Sequence, residues 1–246
     1  MDTAKIIAII ACVFVLLLMT VMSSKNRIHR TYKKYMRVDN KINMTGKEFA
    51  FMSKSVLELK DLQFALVDGK LSDAYSPKYK TLLMSEEVCN TASLSSIAIV
   101  SHELGHAMQH KDESGLFFLN QLLVKLTNFT NKFIMPLLIF GLFAFIFKYP
   151  NDTIGSTLML VSAGLFGLHL LNLLVLIPLE YDASRRALRY LKQNNFISSG
   201  ELHRAKKLLG VAAQTYIANL LDSLFMFNKK KKKRKKRWYY TMNITF

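Results

Sequence analysis

Cysteine is nearly missing from this chain: its 246 residues hold two, Cys12 inside an apolar run and Cys89 alone in a polar stretch. That excludes a disulfide framework and a thiolate metal site, and leaves no sign of an oxidising compartment. Acidic residues are also scarce, 17 against 34 Lys and Arg, but the imbalance is local. Residues 25–37 carry six basic side chains and no acid, and Lys229 to Arg237 is nine basic residues in a row. Outside those two blocks the chain is close to neutral. The apolar residues, in contrast, are gathered into long runs instead of being spread at the spacing of a soluble domain, which points to a bilayer.

The first such run, residues 4–22, holds a single charge, Lys5, and at the helical rise spans about 30 Å of hydrocarbon. It reads as an uncleaved transmembrane anchor, because it is longer than the core of a signal peptide and Val21-Met22-Ser23 is a poor cleavage site. A polar segment, 25–131, follows as the first part of a soluble domain. Residues 133–177 hold two apolar runs joined at Lys148 to Asp152 and read as a transmembrane helical hairpin. Pro178 is expected to end the second run and open a new helix, so 178–207 returns to the soluble domain. Residues 208–227 form a last apolar helix, broken by Gln214, Asn219 and Asp222, that either spans or packs within the membrane part. Residues 228–246 are the basic tail.

Basic blocks beside apolar helices suit an anionic leaflet, where each Lys or Arg contributes about 1 kcal/mol. Nucleic acid is the weaker reading of the tail, since no aromatic or groove-reading motif accompanies it. The excess of Lys and Arg at 25–37 places the soluble segments in the cytoplasm of a multi-pass protein of the cell membrane.

Within the soluble part, residues 45–61 carry Phe49, Met52, Val56 and Leu59 at the spacing of an amphipathic helix. Residues 69–84 read as a short β-hairpin with turn formers at Gly69 and Ser76-Pro77. Its second strand, 79–85, is a candidate for pairing with an extended substrate backbone. Ser85, Glu86 and Glu87 mark a helix start, and a further helix covers 94–110 with Ile97, Val100, Leu104 and Met108 as its buried stripe. The fold class is therefore mainly α, a membrane protein with a small hairpin of strands, a helical hairpin across the bilayer and a soluble domain that the motif below makes zincin-like in expectation.

The chemistry sits on the 94–110 helix, in His102-Glu103-Leu104-Gly105-His106. Two histidines four apart face the same way and can bind one metal at about 2.0 to 2.1 Å, with Glu103 within reach of a metal-bound water. A catalytic zinc needs a third protein ligand. The pattern with a third histidine six residues on is excluded, because Gln109 and Asp112 stand at the positions concerned. A carboxylate farther along is required, and Glu180, directly after the hairpin, is the best candidate. Taken alone, it reads equally well as a helix-start acid.

The stretches SHELGHAMQH (101–110), LSDAYSPKYKTLLMSEEV (71–88), PLEYDASRRAL (178–188) and AKKLLGVAAQTYIANLL (205–221) resemble the YugP-like family of neutral zinc metallopeptidases. The resemblance implies a bacterial membrane metallopeptidase with one zinc ion per chain and a glutamate as third ligand, carried over to Glu180. More distantly the chain is similar to the HtpX and CAAX-processing proteases, whose ligand glutamate is followed four residues later by Asp. Here that position is Ser184, which faces the same way and is suited to a hydrogen bond with a ligand imidazole, whereas Asp182 is expected to point elsewhere.

The implied activity is hydrolysis of membrane or membrane-proximal polypeptides by a zinc-activated water, with Glu103 as general base. The alternatives are a non-catalytic scaffold stabilised by zinc and an anionic-lipid-binding protein. Tyr181 and Arg185 are candidate donors to the developing oxyanion. His110 reads as a helix-end cation, and His169 and Asn172 as partners in a helix-to-helix hydrogen bond. Oligomeric state is not legible.

Overall fold

The computed structural model describes residues 26–148, 152–224 and 239–241. The anchor at 4–22 and most of the basic tail lie outside the described residues. The chain is mainly helical with a small sheet, and it divides into two compact units, one of residues 1–112 with 180–246 and the other of residues 113–179.

The first unit opens with α1 (residues 26–36). Helix α2 (Gly46–Val56) starts at a capping box, in which Thr45 accepts from the Glu48 backbone N–H and the Glu48 carboxylate accepts from that of Thr45. Both donors would otherwise be unsatisfied at the helix start. Strand β1 (Gln63–Val67) leads to β2 (Ala74–Ser76). A 3₁₀ turn at Pro77–Tyr79 and a left-handed Lys80 then return the chain into β3 (Thr81–Ser85). The strand order is β2-β3-β1-β4, with β3 antiparallel to β2 and parallel to β1, and β4 (Tyr239–Thr241) antiparallel on the far edge of β1.

This topology corrects one expectation. The strand at 79–85 is not exposed along a cleft: β3 lies between β2 and β1, and all five of its residues are buried. Of the two edge strands, β2 is the one beside β3. Sequence reading missed β1, which supplies the second partner of β3.

After β3 come the short α3 (Glu86–Asn90) and α4 (Leu94–Lys111), which Ser93 caps by accepting from the Ser96 N–H at 3.1 Å. Helix α4 is buried on nearly all sides, by α2, α3, the sheet and α7 (Ser199–Leu224). Its apolar residues Leu94, Ile97 and Leu104 join Phe49, Leu82, Met84, Leu191 and Leu208 in a single core. Residues 208–224 of the expected last apolar helix are thus part of α7, and Leu208 and Val211 pack in this core.

The second unit holds most of two helices, α5 (Gly115–Phe147) and α6 (Asp152–Gln193), both long and apolar enough to cross a membrane. Helix α5 begins well before the expected 133, and at 33 residues it is about 50 Å long. Along it and the 152–179 part of α6, large apolar side chains such as Phe140, Phe147, Leu160 and Leu174 are exposed. Inside the unit, Asn120 donates to Asn172 at 3.3 Å and Ser162 to the Ile134 carbonyl at 3.0 Å, bonds that join the two helices in apolar surroundings. His169 is buried there too, its Nε2 without a partner among the described residues.

The helix expected to start anew at Pro178 does not. Helix α6 runs unbroken through it. Proline loses one backbone bond, at about 3 kcal/mol in a helix interior. In apolar surroundings, however, a broken helix would leave several more groups unsatisfied, so continuing is the lesser loss. Glu180 follows the apolar stretch on the same helix.

Phe49 is fully buried and sits 6.2 Å from the Tyr190 ring and 5.5 Å from that of Phe196, tying α2 to the end of α6. Phe49→Ala should destabilise this unit by about 3 to 5 kcal/mol, read as a lowered unfolding midpoint in detergent. A wild-type midpoint would show that the cluster does not hold α2.

Candidate metal centre

His102 and His106 stand one turn apart on α4, and α6 crosses beside them. The crossing is set by Gly105: a Cβ there would come within 2.5 Å of the Ala183 carbonyl oxygen. Only glycine lets the two backbones approach so closely. Glu180, three residues before Ala183, is thereby brought against both imidazoles.

Glu180 Oε2 lies 3.2 Å from His102 Nε2 and 3.6 Å from His106 Nε2. Zinc–ligand bonds of about 2.0 to 2.1 Å at the tetrahedral angle put ligand atoms about 3.3 Å apart. The two Glu180 separations stand near that spacing, and the three donors, all within 4.8 Å of one another, form the one such metal-competent group among the described residues. Two imidazole nitrogens and a carboxylate also match zinc chemically.

Each ring is held by its other nitrogen. His102 Nδ1 is 3.2 Å from Ser184 Oγ, and His106 Nδ1 is 2.9 Å from Gln109 Oε1. The second contact belongs to a chain of bonds. Gln109 is fully buried, and its amide Nε2 donates to Asp182 at 2.9 Å. A carboxylate only accepts, so the Gln109 amide must turn its oxygen to His106, which in turn must carry its proton on Nδ1. That leaves Nε2 free as a ligand. Asp182 is itself held by Arg186 Nε at 2.7 Å, and Arg186 also pairs with Asp112. Asp182 was expected to point away from the site. It supports His106 through Gln109, a link invisible in sequence because it depends on how α6 is rotated against α4.

Charges follow the same geometry. Burial alone would raise the Glu180 pKa, but hydrogen bonds with His102 and His106 override it and hold the carboxyl at about 2. Burial would lower that of His106, yet its bond and charge pairing with Glu180 raise it to about 9. Burial and the bonds of Gln109 and Arg186 act oppositely on Asp182, and its pKa is lowered.

Glu103 is buried, and its Oε2 accepts from the Tyr75 backbone N–H of β2 at 2.8 Å. Tyr181 and Arg185 lie on the exposed flank of α6. His110 is no helix-end cation: burial lowers its pKa, and its Nδ1 meets the Tyr75 hydroxyl at 2.7 Å. Tyr75, Gln109 and Asp182 are the residues of this region that sequence reading did not assign.

Residues 8–230 match the family described as "Putative neutral zinc metallopeptidase". The chain is also 33% identical, over 199 residues, to the "Putative membrane protease YugP" of Bacillus subtilis (strain 168), covering 81% of this chain and 84% of that protein. No solved structure matches. The chain belongs to this family of zinc metallopeptidases.

Gly105→Ala should improve local helix propensity by up to about 1 kcal/mol yet weaken zinc binding, because the added methyl drives α6 from α4. Isothermal titration with zinc decides between the two effects; unchanged affinity would mean that the close approach is not needed. Gln109→Ala should weaken zinc binding by about 10- to 100-fold, and retention of wild-type affinity would remove the outer chain of bonds from any role. Zinc must displace the proton that His106 holds below about pH 9. Affinity should therefore rise by about tenfold per pH unit up to that value and then level off. A titration flat between pH 7 and 9 would contradict this.

Proposed function

We propose that the chain is a zinc metalloendopeptidase of the cell membrane that hydrolyses membrane or membrane-proximal polypeptides. The observation that carries the reading is the spacing of the His102, His106 and Glu180 donor atoms, with the Glu103 carboxylate one residue along the same helix. Zinc held by the three would supply an acidified water and polarise a carbonyl. Glu103 is the general base: its Oε2 is oriented by the Tyr75 N–H, which leaves its other oxygen to take a proton and pass it to the leaving amine. A structural zinc site has no use for such a carboxylate.

The substrate lies extended along β2. In an antiparallel pair the N–H and C=O of one residue point to the same side, and the Tyr75 N–H turns away from β3 towards Glu103. The Tyr75 carbonyl on that edge is then placed to accept from a peptide N–H, the edge-strand mode of recognition.

A multi-pass membrane setting is supported by α5 and α6, both long and apolar enough to cross a membrane, and by the apolar run at 4–22. Helix α1 turns Ile28, Tyr32 and Tyr35 into the core and leaves Arg27, Arg30, Lys33 and Lys34 exposed, with Arg37 exposed just past its end. Such a face suits anionic headgroups of the inner leaflet and, by the positive-inside rule, a cytoplasmic catalytic side.

Glu103→Gln tests the central assignment. The purified variant should retain about one zinc per chain and lose about 10²- to 10⁴-fold in peptide hydrolysis, measured on an unstructured casein or a peptide library. Wild-type cleavage by this variant would remove Glu103 from the reaction.

A further inference from the structure

Tyr75 makes two bonds to the same helix from one residue. Its backbone N–H donates to Glu103, and its hydroxyl meets His110 Nδ1, seven residues farther along α4. Two helical turns separate those points, so together they fix both the position of β2 along α4 and its tilt. The Tyr75 ring is partly buried against the core, and its register partner across the sheet is Leu82, which is fully buried. Two residues earlier, Asp73 Oδ1 accepts from the Ser85 backbone N–H at 2.7 Å and from its hydroxyl at 3.1 Å, holding the start of β2 to the end of β3. The edge strand is therefore clamped on one side to the sheet and on the other to the helix that carries Glu103.

We propose that Tyr75 is a positioning residue for the general base: its bond to His110 holds the edge strand against α4, so that the Tyr75 N–H keeps the Glu103 carboxylate aimed at the reacting water. The proposal rests on the peptidase reading above. A carboxylate whose Oε2 is held by a fixed N–H keeps one oxygen in place for proton transfer. If β2 slides along α4, that N–H leaves and the carboxylate turns into other rotamers. At saturating substrate the loss then falls on the proton-transfer step, because neither Tyr75 nor His110 belongs to the donors that would bind the metal. His110 acts as acceptor. Burial lowers its pKa, and its neutral ring can take the Tyr75 O–H proton in a hydrogen bond.

The test uses the full-length protein in detergent, with zinc content, KM and kcat measured on one peptide substrate. Tyr75→Phe keeps the ring and the backbone N–H but removes the hydroxyl, and His110→Phe removes the acceptor. Each should retain zinc while kcat, read at saturating substrate so that any weakening of the pairing at the Tyr75 carbonyl does not enter, falls by about 10- to 100-fold, the scale expected for an ångström of misplacement. The double variant should lose no more than either single one, since both break the same bond. His110→Gln, which restores an acceptor, should recover most of kcat. Wild-type kcat in Tyr75→Phe would overturn the proposal, as would additive losses, failure of His110→Gln to recover when both single variants fold, or losses that follow zinc release. Glu103→Gln in the same assay separates the two levels: its full activity would sink the peptidase reading, whereas its inactivity beside an unaffected Tyr75→Phe would sink this inference alone.

Discussion

The grouping of His102, His106 and Glu180 depends on one contact, the close approach of the α4 and α6 backbones at Gly105 and Ala183. Two imidazoles on one helix turn form an incomplete site. A third donor 74 residues beyond His106 in sequence completes it only if two helices meet at nearly the smallest separation that backbones allow. Gly105, between the two histidines, permits that approach, and the bonds that surround it hold the result. On one side Ser184 meets His102; on the other, Gln109 passes the acceptor character of Asp182 to His106. These contacts also set an ionised Glu180 carboxylate, buried, between two imidazoles, and that carboxylate raises the pKa of His106.

Around that contact the rest of the unit acts as a frame. Helix α4 is buried on nearly every face, so its polar residues could not stand there without partners. His102, Glu103, His106, Gln109 and His110 each have one, supplied by α6 or β2. A polar group buried without a partner would cost this domain a sizeable part of its stability, so the partners serve folding as well as chemistry. The course of α6 through Pro178 likewise keeps its backbone groups bonded to one another, with Glu180 two residues beyond the proline on the same helix.

Much of this was legible in the sequence, and the limits are physical. The His102–Glu103–His106 spacing is local helix periodicity, and Ser184 follows from Glu180 by the same rule. Glu180 itself could not be separated from a helix-start acid by its own surroundings; the resemblance of the flanking segment decided for it. Gln109 and Asp182 were unreadable because their meeting depends on rotation between helices distant in sequence. The edge strand was misassigned because β1 went unnoticed, although Phe64 to Val67, bounded by Asp61 and by Asp68-Gly69, carries the signature of a short buried strand. Once β1 is present, β3 becomes central and β2 is the edge strand beside it.

The most direct measurement is equilibrium zinc binding to the wild-type protein and to Glu180→Ala, by competition with a chromophoric chelator. Wild type should bind one zinc per chain, and the variant should lose more affinity than the roughly hundredfold that removal of an outer-shell partner brings. Equal affinity in the two proteins would mean that Glu180 is no ligand, and that the meeting of α4 and α6 serves some end other than holding a metal.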